Sequence, residues 1–291
     1  MKALFAVAHH YEPKNNPFYA SEAPDPTRRI LAVTTCITSL YHTLDSRQGL
    51  LDGQARVAHP ANDAEPLEVS VVVCTKGNSH LLGKLGAIGH LFIQRQSQRD
   101  PKFLGLECRA ALRDGIGKYD WFGYLEDDLM LADPLFFPKL GWFRGIAGWD
   151  AVLQPNRYEV AVGQPLHKVY IDGNMADPSQ SPRFQDTAQR PVIEGEAFGR
   201  RYVFKRVNNP HSGAFFVDAR QMEHFARQPD FLAEESAFGG PLESSATLGI
   251  MRHFRVYKPA RENAGFLELR HLNNRYLGAR ISFKDGEPLR F

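Results

Sequence analysis

Short apolar runs alternate with helical patterns along the first half of this 291-residue chain, which predicts an α/β fold built on a parallel, doubly wound sheet. Two further observations point the same way. Leu67–Cys74 (LEVSVVVC) becomes continuously apolar in its second half, as expected of a strand buried on both faces. Trp121–Leu131 (WFGYLEDDLML) runs from an apolar strand into three consecutive acids, at the carboxyl end where open α/β sheets place their ligands.

The elements follow in order. Lys2–Ala8 (KALFAVA) reads as the first strand; its apolar core is too short for the central region of a secretory signal. A polar loop follows, with Asn15, Asn16 and three prolines, Pro13, Pro17 and Pro24. Thr27–Leu44 carries Ile30, Val33, Ile37, Leu40 and Leu44 at helical spacing. Asp45–Pro66 is a polar connection to the Leu67–Cys74 strand, which ends in a turn at Thr75–Asn78. Helices are expected near His80–Ile93 and over Phe103–Asp114, and Gly115–Tyr119 leads into the strand with the acidic end.

Beyond residue 150 the pattern is less regular. Ala151–Tyr158 is a strand that Pro155 confines to an edge or ends. Lys168–Ile171, Tyr202–Val207, Ala214–Val217 and Phe254–Lys258 are further strands, the last followed by a polar tail. Gln221–Arg227 and Leu242–Arg252 read as helices. The polar excursion Asp172–Gln189 is long enough to suggest a lid or binding loop.

Composition narrows the class. The chain is 43% hydrophobic and 23% charged, as in soluble globular proteins. Its 35 Lys and Arg nearly balance 33 Asp and Glu, so no nucleic-acid partner is expected. No run approaches the roughly 18 apolar residues of a membrane span. Cys36, Cys74 and Cys108 lack metal-like spacing and read as reduced core thiols of a cytoplasmic protein.

The acids Glu126, Asp127 and Asp128 carry the chemistry. Two carboxylates about 5 Å apart repel by roughly 3 kcal/mol at an effective dielectric near 20. Three in a row therefore hold a cation, share a proton or face open water. In extended chain Glu126 and Asp128 point to one side and Asp127 to the other, which suits two acidic groups closing on one hard cation. Asp128 is the best direct ligand for Mn²⁺ or Mg²⁺, and a solvated acidic turn is the alternative.

Other candidates surround this motif. His9, His10 and Tyr11 end the first strand, where a nucleotide base can stack on the tyrosine and hydrogen-bond to a histidine. Arg28 and Arg29 open the next helix, whose free backbone N–H groups already favour phosphate. Lys76 is a weaker candidate of the same kind. In PHSGAFF, Gly213 permits close approach of backbone to a ligand, and His211 and Ser212 stand beside it.

With these residues in place, the chain resembles a glycosyltransferase of the GT-A fold. The approach CRAALRDGIGKYDWFGYLEDD is similar to the helix and strand that precede the family's acidic DxD-type motif, here with Glu126 in place of the first Asp. The resemblance implies a Rossmann-like fold with a mixed central sheet flanked by helices. It implies one domain over 1–291, with a nucleotide-sugar and metal-binding half (1–150) and an acceptor half (151–291). It also implies that Glu126 positions the donor's ribose or sugar and that the Gly213 loop lies beside the donor sugar. In FGGPLESSATLGIMRHF, Glu243 matches the family's acidic catalytic residue, a general base for the acceptor hydroxyl. In RHLNNRYLG, His271 matches a C-terminal histidine that completes the metal site.

The implied activity is metal-dependent transfer of a sugar from a nucleotide-sugar donor to a glycan or other hydroxyl acceptor. Inversion is expected because Glu243 offers a base. Analogy alone extends this to bacterial surface-glycan synthesis, with peripheral contact at the inner membrane face. Two alternatives remain open: a nucleotide-sugar or glycan-binding protein without turnover, and a metal-dependent phosphohydrolase. The latter lacks the additional Asp/His cluster that a two-metal site needs.

Overall fold

The computed structural model describes residues 1–14, 20–160, 166–175, 177 and 179–277. In the first half the strands are β1 (Lys2–Ala8), β2 (Gln48–Asp52), β3 (Val57–Ala61), β4 (Glu68–Lys76), β5 (Ile93–Ser97), β6 (Trp121–Glu126) and β7 (Leu129–Met130). Then come β8 (Ala151–Leu153), β9 (Asn156–Val160), β10 (Lys168–Tyr170), β11 (Val192–Ala197), β12 (Arg200–Lys205), β13 (Ala214–Asp218), β14 (Arg255–Pro259) and β15 (Glu268–His271). The α-helices are α1 (Thr27–Leu44), α2 (Leu104–Asp114), α3 (Phe136–Ala147), α4 (Ala219–Ala226), α5 (Pro241–Glu243) and α6 (Gly249–His253).

The central sheet has the order β13-β6-β1-β4-β5. β1, β4, β5 and β6 are parallel, and β13 closes one edge antiparallel to β6. The sheet is therefore mixed, and it draws strands from both halves of the chain. In β6 the side chains alternate between two apolar cores. Trp121 and Leu125 join the α1 and α3 side, while Phe122 and Tyr124 join the side of α2 and α4. Phe122 is fully buried, and its truncation to Ala would cost about 3–5 kcal/mol.

Several expectations change. The segment near His80–Ile93 is not an α-helix but two 3₁₀ turns, Leu82–Lys84 and Gly86–Leu91, because Gly83, Gly86 and Gly89 interrupt the helical pattern. An exposed edge strand, β5, follows it. The polar connection contains the exposed hairpin β2–β3. α3 was masked in the sequence by Pro138, Gly141 and Gly145, yet Phe136, Phe137, Leu140 and Phe143 bury one side of it. The tail holds β15, so His271 ends the last strand among the described residues instead of lying beyond it. β11, unread in the sequence, pairs with β12 as a hairpin.

Pro155 ends one strand and begins another. β8 pairs with β14, whereas β9 passes into a different sheet beside β15 and β10. The excursion begins at the buried Asp172, and its later residues dock through a 3₁₀ turn at Ser181–Arg183, where the Ser181 hydroxyl donates to Met251 Sδ at 3.4 Å. Residues 176 and 178 of that excursion lie outside the described residues.

Candidate functional site

The site forms where β6 ends. Glu126 is the last residue of β6, and a turn at Asp127–Asp128 leads into β7. The Glu126 N–H donates to the carbonyl of Gly213 at 2.9 Å, which docks the start of β13 against the acidic end. Gly213 has φ +59°, and an added Cβ there would stand 2.9 Å from Glu126 Cδ. Both conformation and space thus require glycine.

The three acids separate by environment. Asp127 turns toward β1 and α1. His9 is fully buried, its Nε2 accepts from the Leu81 N–H at 3.0 Å, and so the ring proton sits on Nδ1, facing Asp127 Oδ2 at 2.5 Å. Arg29 pairs with the other Asp127 oxygen. Burial pushes the Asp127 carboxyl up, but Arg29 and His9 outweigh it and hold it below the usual range. Asp127 is a strut fixing Arg29, whose NH1 reaches Asp128 Oδ2 at 3.4 Å.

Asp128 faces the C-terminal strand. The Leu272 N–H donates to its carbonyl at 2.9 Å, and Asn273 Nδ2 donates to its Oδ2 at 2.5 Å. His271 Nε2 stands 3.8 Å from the same oxygen. Behind His271, Nδ1 bonds to the fully buried Glu159 at 2.7 Å, and Glu159 also accepts from the N–H groups of Tyr276 and Leu277. Burial lowers the affinity of His271 for a proton, but Glu159 and Asp128 reverse this and raise its pKa above the ordinary value.

Glu126 meets a cationic chain. Its Oε2 lies 3.8 Å from Arg157 NH1, and Arg157 Nε donates to Asp172 at 2.9 Å. Asp172 also receives the buried Lys258 ammonium at 2.8 Å, which in turn donates to the His211 carbonyl at 2.5 Å. Burial pushes the Glu126 carboxyl up to about 7 despite Arg157, with Asp128 and Glu243 adding repulsion. Burial also brings Lys258 down to about 8, against the pull of Asp172.

Glu243 ends α5, and a π turn at Ser244–Leu248 separates it from α6. Gly240 clears room for it: a Cβ there would stand 2.9 Å from Glu243 Oε2. The π turn, absent from the sequence expectation, brings Thr247 Oγ1 within 2.9 Å of His211 Nδ1. Burial holds the His211 imidazole well below its ordinary pKa.

Five other expected residues make contacts within the protein or face solvent. Both ring nitrogens of His9 are engaged within the protein. Tyr11 is buried, and its hydroxyl donates to the Ala23 carbonyl at 2.6 Å. The Ser212 hydroxyl donates to the Pro155 carbonyl at 2.7 Å, and Lys76 Nζ donates to the Gln98 carbonyl at 2.5 Å. On α1 the consecutive arginines diverge by the helical turn, so Arg29 reaches the acids and Arg28 faces solvent. His10 is half-buried, with Nε2 3.8 Å from Glu12.

Arg157, Glu159, Asp172, Lys258 and Asn273 were not picked out in the sequence. The available signal was polar residues inside the run around Pro155, but no local pattern says that they face the acids.

Among the described residues no group of three or more His, Cys, Asp or Glu is placed to hold a metal ion. Asp128 and His271 nevertheless suit one. Asp128 Oδ1 is buried without a hydrogen-bond partner, and Glu159 turns His271 Nε2 toward that carboxylate. A carboxylate oxygen and an imidazole nitrogen are donor types that a divalent ion such as Mn²⁺ would accept.

Among the described residues no helix is long and apolar enough to cross a membrane. No protein-family model and no curated protein matches the chain. Among solved structures it is similar to GalNAc-T7 with UDP, GalNAc and Mn²⁺, at 10% identity and a TM-score of 0.47 over 93% of this chain. It is also similar to S. aureus TarS, at 10% identity and a TM-score of 0.44 over 90% of this chain. The chain spans 43% of the first protein and 35% of the second.

Proposed function

We propose that the chain is a GT-A-like glycosyltransferase that moves a sugar from a nucleotide-sugar donor to a hydroxyl acceptor with a divalent cation. The observation that carries this reading is the Asp128–His271 pair at 3.8 Å, backed by Glu159, at the carboxyl end of β6. Asp128 and His271 would hold the cation, which when bound supplies positive charge for the departing diphosphate. Glu126, beside the Gly213 loop and Arg157, orients the donor's ribose or sugar. Arg29 adds fixed positive charge at the same end of the sheet.

Glu243 takes the proton from the acceptor hydroxyl as that oxygen attacks the sugar carbon. A new C–O bond forms while the bond to the diphosphate breaks, in a single inverting displacement. Residues 1–150 and 151–291 serve as donor and acceptor halves of one domain. Bacterial surface-glycan intermediates are the first acceptors to assay, and a cytoplasmic site of action with peripheral membrane contact goes with them.

A melting-temperature panel of UDP-, GDP-, CMP- and dTDP-sugars, with and without Mn²⁺, tests the reading. A donor at 100 times its dissociation constant stabilises by about 2.7 kcal/mol, a shift such a panel resolves. The expected result is a cation-dependent shift for one nucleotide class, and transfer or slow hydrolysis of that sugar. No shift with any donor overturns the proposal. A shift without turnover favours a nucleotide-sugar-binding protein instead.

A further inference from the structure

The geometry points to Asn273 as a third protein ligand of the cation, through its carboxamide oxygen, an inference that rests on the metal-dependent reading above. Two acidic or imidazole groups are few for a hard divalent ion, and among the described residues no third Asp, Glu, His or Cys completes the set. Asn273 occupies the place such a group would take. Its carboxamide lies 2.5 Å from Asp128 Oδ2, the oxygen that His271 Nε2 approaches to 3.8 Å. It stands two positions after His271 in sequence, and the Leu272 N–H bond to the Asp128 carbonyl ties the one intervening residue down.

The chemistry of the amide explains the arrangement. Without a cation the NH₂ end faces Asp128 and neutralises part of its charge. The two ends of a carboxamide have nearly the same shape, so rotation about the Cβ–Cγ bond exchanges donor for acceptor without moving the backbone. A cation at Asp128 repels the NH₂ end and attracts the oxygen, and amide oxygens are ordinary ligands of hard divalent ions. Arg29 also reaches Asp128 Oδ2, at 3.4 Å, but Asp127 already engages it. Asn273 is the neighbour of Asp128 that can change its polarity.

The test is Mn²⁺ binding followed by the loss of the free-ion electron paramagnetic resonance signal, with MnCl₂ alone and then with UDP added. Wild type, Asp128→Asn, Asn273→Ala and Asn273→Asp are compared, each with a melting curve. Loss of a ligand in Asn273→Ala should weaken Mn²⁺ binding at least about tenfold, the lower end of what even outer-shell partners of a metal are worth. Asn273→Asp keeps the oxygen and adds charge, so it should bind Mn²⁺ as tightly as wild type or more so. Wild-type affinity in a folded Asn273→Ala variant overturns the inference. If Asn273→Ala does not fold, weaker binding by Asn273→Asp does the same. Should wild type bind no Mn²⁺ with or without UDP, or Asp128→Asn bind it unchanged, the metal-dependent reading falls and the role of Asn273 with it.

Discussion

His271 is held between two carboxylates of opposite character: Nδ1 bonds to the fully buried Glu159 at 2.7 Å, while Nε2 stands 3.8 Å from Asp128. A hydrogen bond to Nδ1 fixes the tautomer and leaves Nε2 as the lone-pair face. This carboxylate–imidazole order is the one that orients ligating histidines, and it joins β9, β15 and the turn after β6 at one point.

Asp128→Asn should abolish cation-dependent binding of a nucleoside diphosphate while leaving the fold intact. The motivation is the buried Asp128 Oδ1, which has no hydrogen-bond partner. Calorimetry with UDP and Mn²⁺ measures it. Unchanged affinity in the folded variant would overturn the metal-dependent reading.

Glu159→Gln should weaken Mn²⁺ binding by about 10- to 100-fold, since Glu159 orients the His271 ring. Its carboxylate also accepts from the Tyr276 and Leu277 N–H groups, so faster amide exchange at 276–277 should accompany the loss. Full Mn²⁺ affinity in this variant would show that the Glu159–His271 bond is structural only.

Glu243→Gln should keep donor and cation affinity but reduce turnover by about 10²–10⁴-fold, the usual worth of a positioned base. A helix-start role alone would cost a few tenths of a kcal/mol in stability and spare turnover. The measurement is turnover at saturating substrates beside a melting curve. Near-normal rates would reopen the choice of a retaining reaction.

Glu126 should make stability fall as pH rises. Burial lifts its pKa from 4.5 to about 7, so between those values the folded state binds more protons than the unfolded chain. The slope is therefore negative across pH 4.5–7, and the cost is complete above 7. About a quarter of the side chain, 27%, stays open to solvent, which limits the effect to about 1–2 kcal/mol. Glu126→Gln should match wild type near pH 4 and exceed it at pH 8. An equal gap at both pH values would contradict the assignment.

Gly213→Ala should destabilise the protein by about 1–3 kcal/mol, because φ +59° is unfavourable for a residue with a Cβ and the Glu126 carboxylate fills that space. Denaturant midpoints report it. Restoration in the Gly213→Ala, Glu126→Ala double variant would separate the steric part from the backbone part.

Sequence by itself determined the parts whose signal is local. Periodicity placed β1, α1, the strand now β4 and the β6 acidic end, because a strand or helix buried on a defined face needs apolar residues at period 2 or 3.6. Pro155 marked the break between β8 and β9, since proline cannot donate to a ladder. Tertiary structure decided what the acids meet. Glu159 is 112 residues from His271, and Asp172 is 86 from Lys258; their pairing depends on which strands neighbour each other, which no window of sequence contains. It also chose Arg29 over Arg28 and drew His9 inward onto Asp127, because a buried charge must find its counter-charge wherever the packed chain brings one.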